Sequence, residues 1–236
     1  MRTMTLDVTR IQGLCFDVDG TLRDTDDQFV ARLSRWLKPI GLFFPNHDHR
    51  TIARRIVMAS ENPGNYLLGL ADRLGIDGKL SEVSDIFYRL GLGKNTDSFS
   101  LIQGIIEMLE LLKPVYPMSI VSARGERLTQ AFIEHFGLQD YFMCTATAQT
   151  CAHTKPYPDP IIWSAKQMGI LPENCLMIGD TSVDILAARA AGAQSVGVLC
   201  GFGEESELIR SGADLILPTT DQLPPILLNL QENILA

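Results

Sequence analysis

The stretch Cys15-Phe16-Asp17-Val18-Asp19-Gly20-Thr21-Leu22 constrains this chain more than any other. An apolar run over residues 11–16 reads as a short buried strand, and it ends at two aspartates one residue apart. On a strand, residues i and i+2 point to the same side, so Asp17 and Asp19 are placed to look into one cavity. In open parallel α/β sheets the C-terminal strand edge is where ligands bind. Two like charges there repel each other unless a metal, a proton or substrate chemistry compensates. Gly20 allows a sharp exit or a close backbone approach. By itself the pattern also fits an Asp-Gly turn that merely closes a strand.

After Leu22 the period changes from strand to helix. Thr25-x-x-Gln28 has the spacing of a capping box, and Phe29, Val30, Leu33, Trp36 and Leu37 come next at helical spacing. Further helical patterns run over residues 50–60, 63–74 and 80–92, and no strand pattern stands between 24 and 95. Residues 24–95 are therefore expected to form an all-helical domain inserted into a core made of residues 1–23 and 96–236.

The second half has another rhythm. Helices are expected over 101–112, 125–136, 158–168, 182–191, 204–210 and 222–230. Strands are expected over 117–122, 141–146, 176–179, 195–199 and 214–217. Alternation of this kind predicts an α/β fold with a doubly wound, Rossmann-like parallel sheet.

Composition excludes several classes. The 236 residues can bury a substantial core, and 46% hydrophobic with 20% charged residues is ordinary for a globular protein. Lys and Arg number 20 against 28 Asp and Glu, a net charge of −8, which argues against nucleic acid or an acidic membrane as partner. The five cysteines, Cys15, Cys144, Cys151, Cys175 and Cys200, are scattered without C-x-x-C spacing and read as free thiols of a reducing cytoplasm. Residues 1–10 lack the apolar core of a signal peptide, and no run approaches the ~20 apolar residues of a membrane span. The expectation is a cytoplasmic protein, its oligomeric state open between monomer and weak homodimer.

Four predicted strand ends carry polar groups: Asp17 with Asp19, Ser122, Lys155 within Lys155-Pro-Tyr-Pro-Asp159, and Gly179-Asp180-Thr-Ser-Val-Asp184. Singly, each has an ordinary explanation. Ser122 reads as a helix N-cap and Lys155 as a solvated lysine. Asp180 fits a cap for the next helix, and Asp184 its exposed face. Together, a serine, a lysine and two acidic pairs form a kit for moving a phosphoryl group.

This constellation resembles the haloacid dehalogenase superfamily of phosphohydrolases. Asp17-Val-Asp19-Gly-Thr21 matches its first motif, Ser122 the second, Lys155 the third and Gly179-Asp180-x-x-x-Asp184 the fourth, in the same order and over essentially the whole chain. Lys155-Pro-x-Pro and Gly201-Phe-Gly203-Glu are similar to the branch that includes phosphoglycolate phosphatases and β-phosphoglucomutases. That branch carries a helical cap between the first and second motifs, where this chain has its helical block.

The resemblance implies roles. Asp17 is the expected nucleophile, ionised at neutral pH with an ordinary pKa of ~3.9, and Asp19 the general acid/base. Mg²⁺ is the expected cofactor, held by Asp17, the Asp19 carbonyl, Asp180 and waters, with Asp184 as a further acidic ligand or an outer-shell partner. Ser122, Lys155 and Thr21 are the expected phosphate-binding residues. The implied reaction is hydrolysis of a small phosphorylated metabolite through an aspartyl-phosphate. A phosphomutase, a metal-independent dehalogenase and a non-catalytic binding module are the alternatives. Thr21 leans toward the hydrolases, since mutases commonly carry Val there. Arg54 and Arg55 in the helical block, with Arg23 and Arg124 beside the motifs, are candidates for a second anionic group of the substrate. Solvation is the expected fate of any one of them.

Overall fold

The computed structural model describes residues 6–24 and 100–232. The chain divides into one unit of Met1–Thr25 with Phe99–Ala236 and another of Asp26–Ser98. The helices expected over 24–95, the Thr25/Gln28 capping box, Arg54 and Arg55 lie outside the described residues.

Among the described residues six strands form one sheet: β1 (Gly13–Phe16), β2 (Met118–Val121), β3 (Cys144–Ala146), β4 (Cys175–Gly179), β5 (Gln194–Val198) and β6 (Leu215–Leu217). All pair in parallel, in the order β3-β2-β1-β4-β5-β6. Among the described residues six α-helices join or close them: α1 (Ile105–Leu112), α2 (Glu126–His135), α3 (Asp159–Met168), α4 (Ser182–Ala191), α5 (Glu205–Ser211) and α6 (Leu223–Glu232). This is the doubly wound α/β core the alternating pattern predicts.

β1, β2, β4 and β5 are buried along their whole length, because both sheet faces are covered. The period-2 alternation sorts their side chains into two clusters. Leu14, Phe16, Met118, Ile120, Leu176 and Ile178 pack with Ile105, Met108, Leu109 and Leu112 of α1, Phe132 of α2 and Leu223 of α6. Cys15, Val121, Ala146, Cys175 and Met177 face the other way, toward Ile161 and Ala165 of α3 and Ala187 and Ala188 of α4. Burying each large side chain contributes about 1.5–3 kcal/mol. The small Cys and Ala residues of the second layer let α3 and α4 approach closely.

From β1 the chain winds outward through β2 and β3, then returns to build β4, β5 and β6 on the other side. The direction of winding therefore reverses at β1, and in open α/β sheets such a switch point is where ligands bind, beyond the C-terminal strand ends. The ladder runs one residue past β1, where the Asp17 N–H donates to the Ile178 carbonyl at 2.9 Å.

Several boundaries differ from the expectation. The helix expected from residue 101 starts at Ile105, because Ser100–Ile102 pairs with Leu22–Asp24. The Ile102 N–H donates to Leu22 O, the Asp24 N–H donates to Ser100 O, and Arg23 bridges Leu101 antiparallel. β3 begins at Cys144 rather than 141, since Gln139–Tyr141 closes a 3-10 turn. β1 ends at Phe16, so the strand-period argument for Asp19 does not hold. A turn comes next instead, in which the Val18 carbonyl accepts from Leu22 and Arg23.

Candidate active site

Parallel pairing delivers the four motifs to one edge of the sheet. Asp17 comes directly after β1, Ser122 directly after β2, Lys155 stands between β3 and α3, and Asp180 and Asp184 lie at the β4–α4 junction. The structure joins three of these segments directly. Lys155 Nζ donates to Asp17 Oδ1 and to Asp184 Oδ1, both at 2.6 Å. Lys155 is 2% exposed, so the solvated-lysine explanation fails.

Asp184 is also buried and does not sit on the exposed face of α4. It stands in the first helical turn, where its second oxygen, Oδ2, accepts from the Thr181 N–H at 3.1 Å and from Thr181 Oγ1 at 2.8 Å. Thr181-x-x-Asp184 thus works as a capping box, a spacing present in the sequence but overlaid there by the Asp180/Asp184 pattern. The helix start fixes Asp184, and Asp184 in turn fixes Lys155.

Asp180 is fully buried with its two oxygens in different situations. Oδ2 accepts from the Phe202 N–H at 2.7 Å. Oδ1 has no hydrogen-bond partner among the described residues. Gly20 and Gly201 both press on this carboxylate: a Cβ on either would collide with Asp180 Oδ2, and Gly20 also sits at φ 76°. The Gly201-Phe-Gly203 segment is therefore a wall for Asp180, a function the motif match did not indicate.

Carboxylate oxygens of Asp17, Asp180 and Asp184 lie within 4.8 Å of one another. Three buried carboxylates face one ammonium, so the group carries excess negative charge when ionised. Burial, the first cause, pushes Asp17 up to about 7 against the pull of Lys155, with Asp184 and Asp19 adding repulsion. This corrects the expectation of an ordinary, freely ionised Asp17. Burial also raises Asp180 well above the usual carboxylate range, helped by the charges of Asp17 and Asp184. Burial lowers Lys155, but the two carboxylates outweigh it and hold the ammonium above its ordinary value. An all-oxygen set with one orphaned buried oxygen fits a hard divalent cation.

Asp19 is held by two arginines. Its Oδ1 lies 3.0 Å from Arg23 Nη1 and its Oδ2 pairs with Arg124 Nε. Neither arginine has the solvated fate expected for it. Ser122 does not cap α2, whose N-cap is Gly125; it is 4% exposed and its Oγ accepts from the Arg124 N–H at 3.1 Å. Thr21 is fully buried, with Oγ1 unpartnered among the described residues and its carbonyl accepting from Thr220 Oγ1 at 2.7 Å.

Comparison with known proteins agrees with this geometry. A family model described as haloacid dehalogenase-like hydrolase matches residues 14–198. The chain is 28% identical over 234 residues to a phosphoglycolate phosphatase of Neisseria meningitidis serogroup A, covering 95% of each. It is similar to a hydrolase structure from Pseudomonas syringae, with a TM-score of 0.63 and 28% identity, covering 94% of this chain and 99% of that one. A haloacid dehalogenase-like hydrolase structure from Streptococcus pneumoniae shares the fold at a TM-score of 0.66 and 24% identity, covering 91% and 97%. Four motifs at one sheet edge and a match over most of the chain lead to one assignment: this enzyme belongs to the haloacid dehalogenase-like hydrolase family.

Proposed function

We propose that this hydrolase is a Mg²⁺-dependent phosphatase that cleaves a small phosphorylated metabolite, phosphoglycolate-like or a sugar phosphate, through an aspartyl-phosphate. The observation that carries the reading is the Lys155 ammonium bridging Asp17 and Asp184 beside the orphaned oxygen of Asp180. The name of the Neisseria relative supports a phosphoglycolate-like substrate.

Asp17, Asp180 and Asp184, with the Asp19 carbonyl, would hold Mg²⁺, which when bound supplies positive charge to the carboxylates and the phosphoryl oxygens. Lys155 uses two of its three ammonium hydrogens on Asp17 and Asp184, and the third is free to hold a phosphoryl oxygen. The Ser122 hydroxyl hydrogen is a second donor, since that oxygen acts as acceptor toward Arg124. The Thr21 hydroxyl is the third donor assigned to the phosphoryl group.

The Asp17 carboxylate attacks phosphorus, the P–O ester bond breaks, and Asp19 gives its proton to the departing oxygen. Asp19 then takes a proton from water, which attacks the phosphorus of the aspartyl-phosphate. Inorganic phosphate leaves and the Asp17 carboxylate is restored. Positioning and electrostatics supply most of the effect in such reactions, which enzymes accelerate by up to ~10²¹-fold.

The test is phosphate release from a panel of phosphate monoesters, with chelator and with added Mg²⁺. Hydrolysis that stops in chelator and returns with Mg²⁺ is expected. Full activity in chelator would overturn the reading.

A further inference from the structure

Asp19 is gripped on both carboxylate oxygens, and one of the two arginines has capacity to spare. Arg124 reaches Asp19 from the β2–α2 connection through Nε alone. Among the described residues its Nη1 and Nη2 make no hydrogen bond or ion pair, and the side chain is 25% exposed. Its backbone is fixed independently: the N–H donates to Ser122 Oγ and the carbonyl accepts from the Ala148 N–H. A rigid, planar guanidinium therefore stands beside Asp19 with one edge occupied and two nitrogens available.

The geometry of the reaction brings the substrate to those nitrogens. With phosphorus in front of Asp17, the departing oxygen must face Asp19 to receive its proton. The first atoms of the leaving group then lie next to the cation that holds Asp19. Lys155 donates to Asp17 and Asp184, and its third hydrogen is assigned to the transferring phosphoryl group. An anionic group one carbon from the ester oxygen would meet Nη1 and Nη2 without displacing Nε from Asp19, whereas a neutral leaving group would gain nothing from them.

We propose that Arg124 is a specificity-determining residue that binds an anionic group on the leaving alcohol. The preferred substrates are then phosphate monoesters of short alcohols that carry a carboxylate or a second phosphoryl group. The inference rests on the phosphatase reading above. It goes further by assigning the selection of substrate to a residue of the core unit.

The test uses the full chain with Mg²⁺ and three esters of similar length: ethyl phosphate, 2-phosphoglycolate and ethylene glycol bisphosphate. The readout is the ratio of kcat/KM for each anionic ester to that for ethyl phosphate, which cancels any effect that Arg124 exerts through Asp19. Wild type should prefer at least one anionic ester. Arg124→Gln should lower that ratio by about ten- to a hundredfold, the range for losing a hydrogen-bonded charge contact, mainly through KM. Arg124→Lys keeps the charge without the fork and should fall between, which covers the case of a poorly folded glutamine variant. The ester whose ratio falls tells carboxylate from phosphoryl. Equal loss on all three esters, or no anionic preference in wild type, would overturn the proposal. Failure of wild type to release phosphate even from p-nitrophenyl phosphate would overturn the phosphatase reading itself, and is read separately.

Discussion

Lys155 and Asp184 meet at 2.6 Å with both side chains almost wholly withdrawn from water, and the same ammonium lies 2.6 Å from Asp17. An ion pair so deeply buried is not retained for stability alone, since its desolvation offsets much of the attraction. Removing one partner is costly because the others remain as uncompensated buried charges. Lys155→Ala should therefore depress hydrolysis of every substrate alike, by about 10²–10³-fold, in line with the loss of one preorganised electrostatic contact. Kinetics across several esters checks this, and a substrate-selective loss would contradict it.

A second outcome concerns pH and metal together. In the metal-free protein Asp17 is raised from 3.8 to about 7, and Asp180 is raised too. Between those pH values the folded chain holds protons that the unfolded chain has released, so stability falls as pH rises through the window. Lys155, raised in the folded state, contributes stability that is whole below its unfolded pKa of ~10.5 and is lost only above it, so it leaves this window unchanged. A cation held by the carboxylates would displace those protons and remove the repulsion. The rise in Tm on adding Mg²⁺ should consequently be larger at pH 8 than at pH 5. Thermal unfolding at both values checks it, and equal shifts would contradict it.

Gly201→Ala tests the wall around Asp180. The new Cβ would collide with Asp180 Oδ2 and approach the Gly20 carbonyl at 2.6 Å. The variant should raise the Mg²⁺ concentration needed for half-maximal activity and destabilise the fold by about 1–3 kcal/mol, the usual range for overpacking. Metal titration of activity and denaturant unfolding read both. An unchanged metal requirement would show that Asp180 does not need this enclosure.

Much of the fold was legible because fully buried parallel strands read as unbroken apolar runs, and α4 falls on the residues its pattern marks. The gathering of Asp17, Lys155, Asp180 and Asp184 was legible for a topological reason: parallel strands deliver the residues at their C-terminal ends to one edge. The features that escaped were set by partners distant in sequence. Nothing near Asp19 announces that Arg124 will hold it, and nothing near Gly201 announces the Asp180 carboxylate behind it. The raised pKa of Asp17 also escaped, because burial belongs to the assembled core and not to the residue. Leu101 and Ile102 fit a helical period but were claimed by pairing with residues 22–24, a tertiary contact overriding local pattern.

The central claim is that the Asp17 carboxylate attacks phosphorus, and the direct measurement is phosphate release by Asp17→Asn in Mg²⁺. The amide keeps nearly the same shape and removes the attacking charge. The account predicts turnover at background in a variant whose circular dichroism matches wild type. Retention of more than a few per cent of wild-type turnover would contradict it.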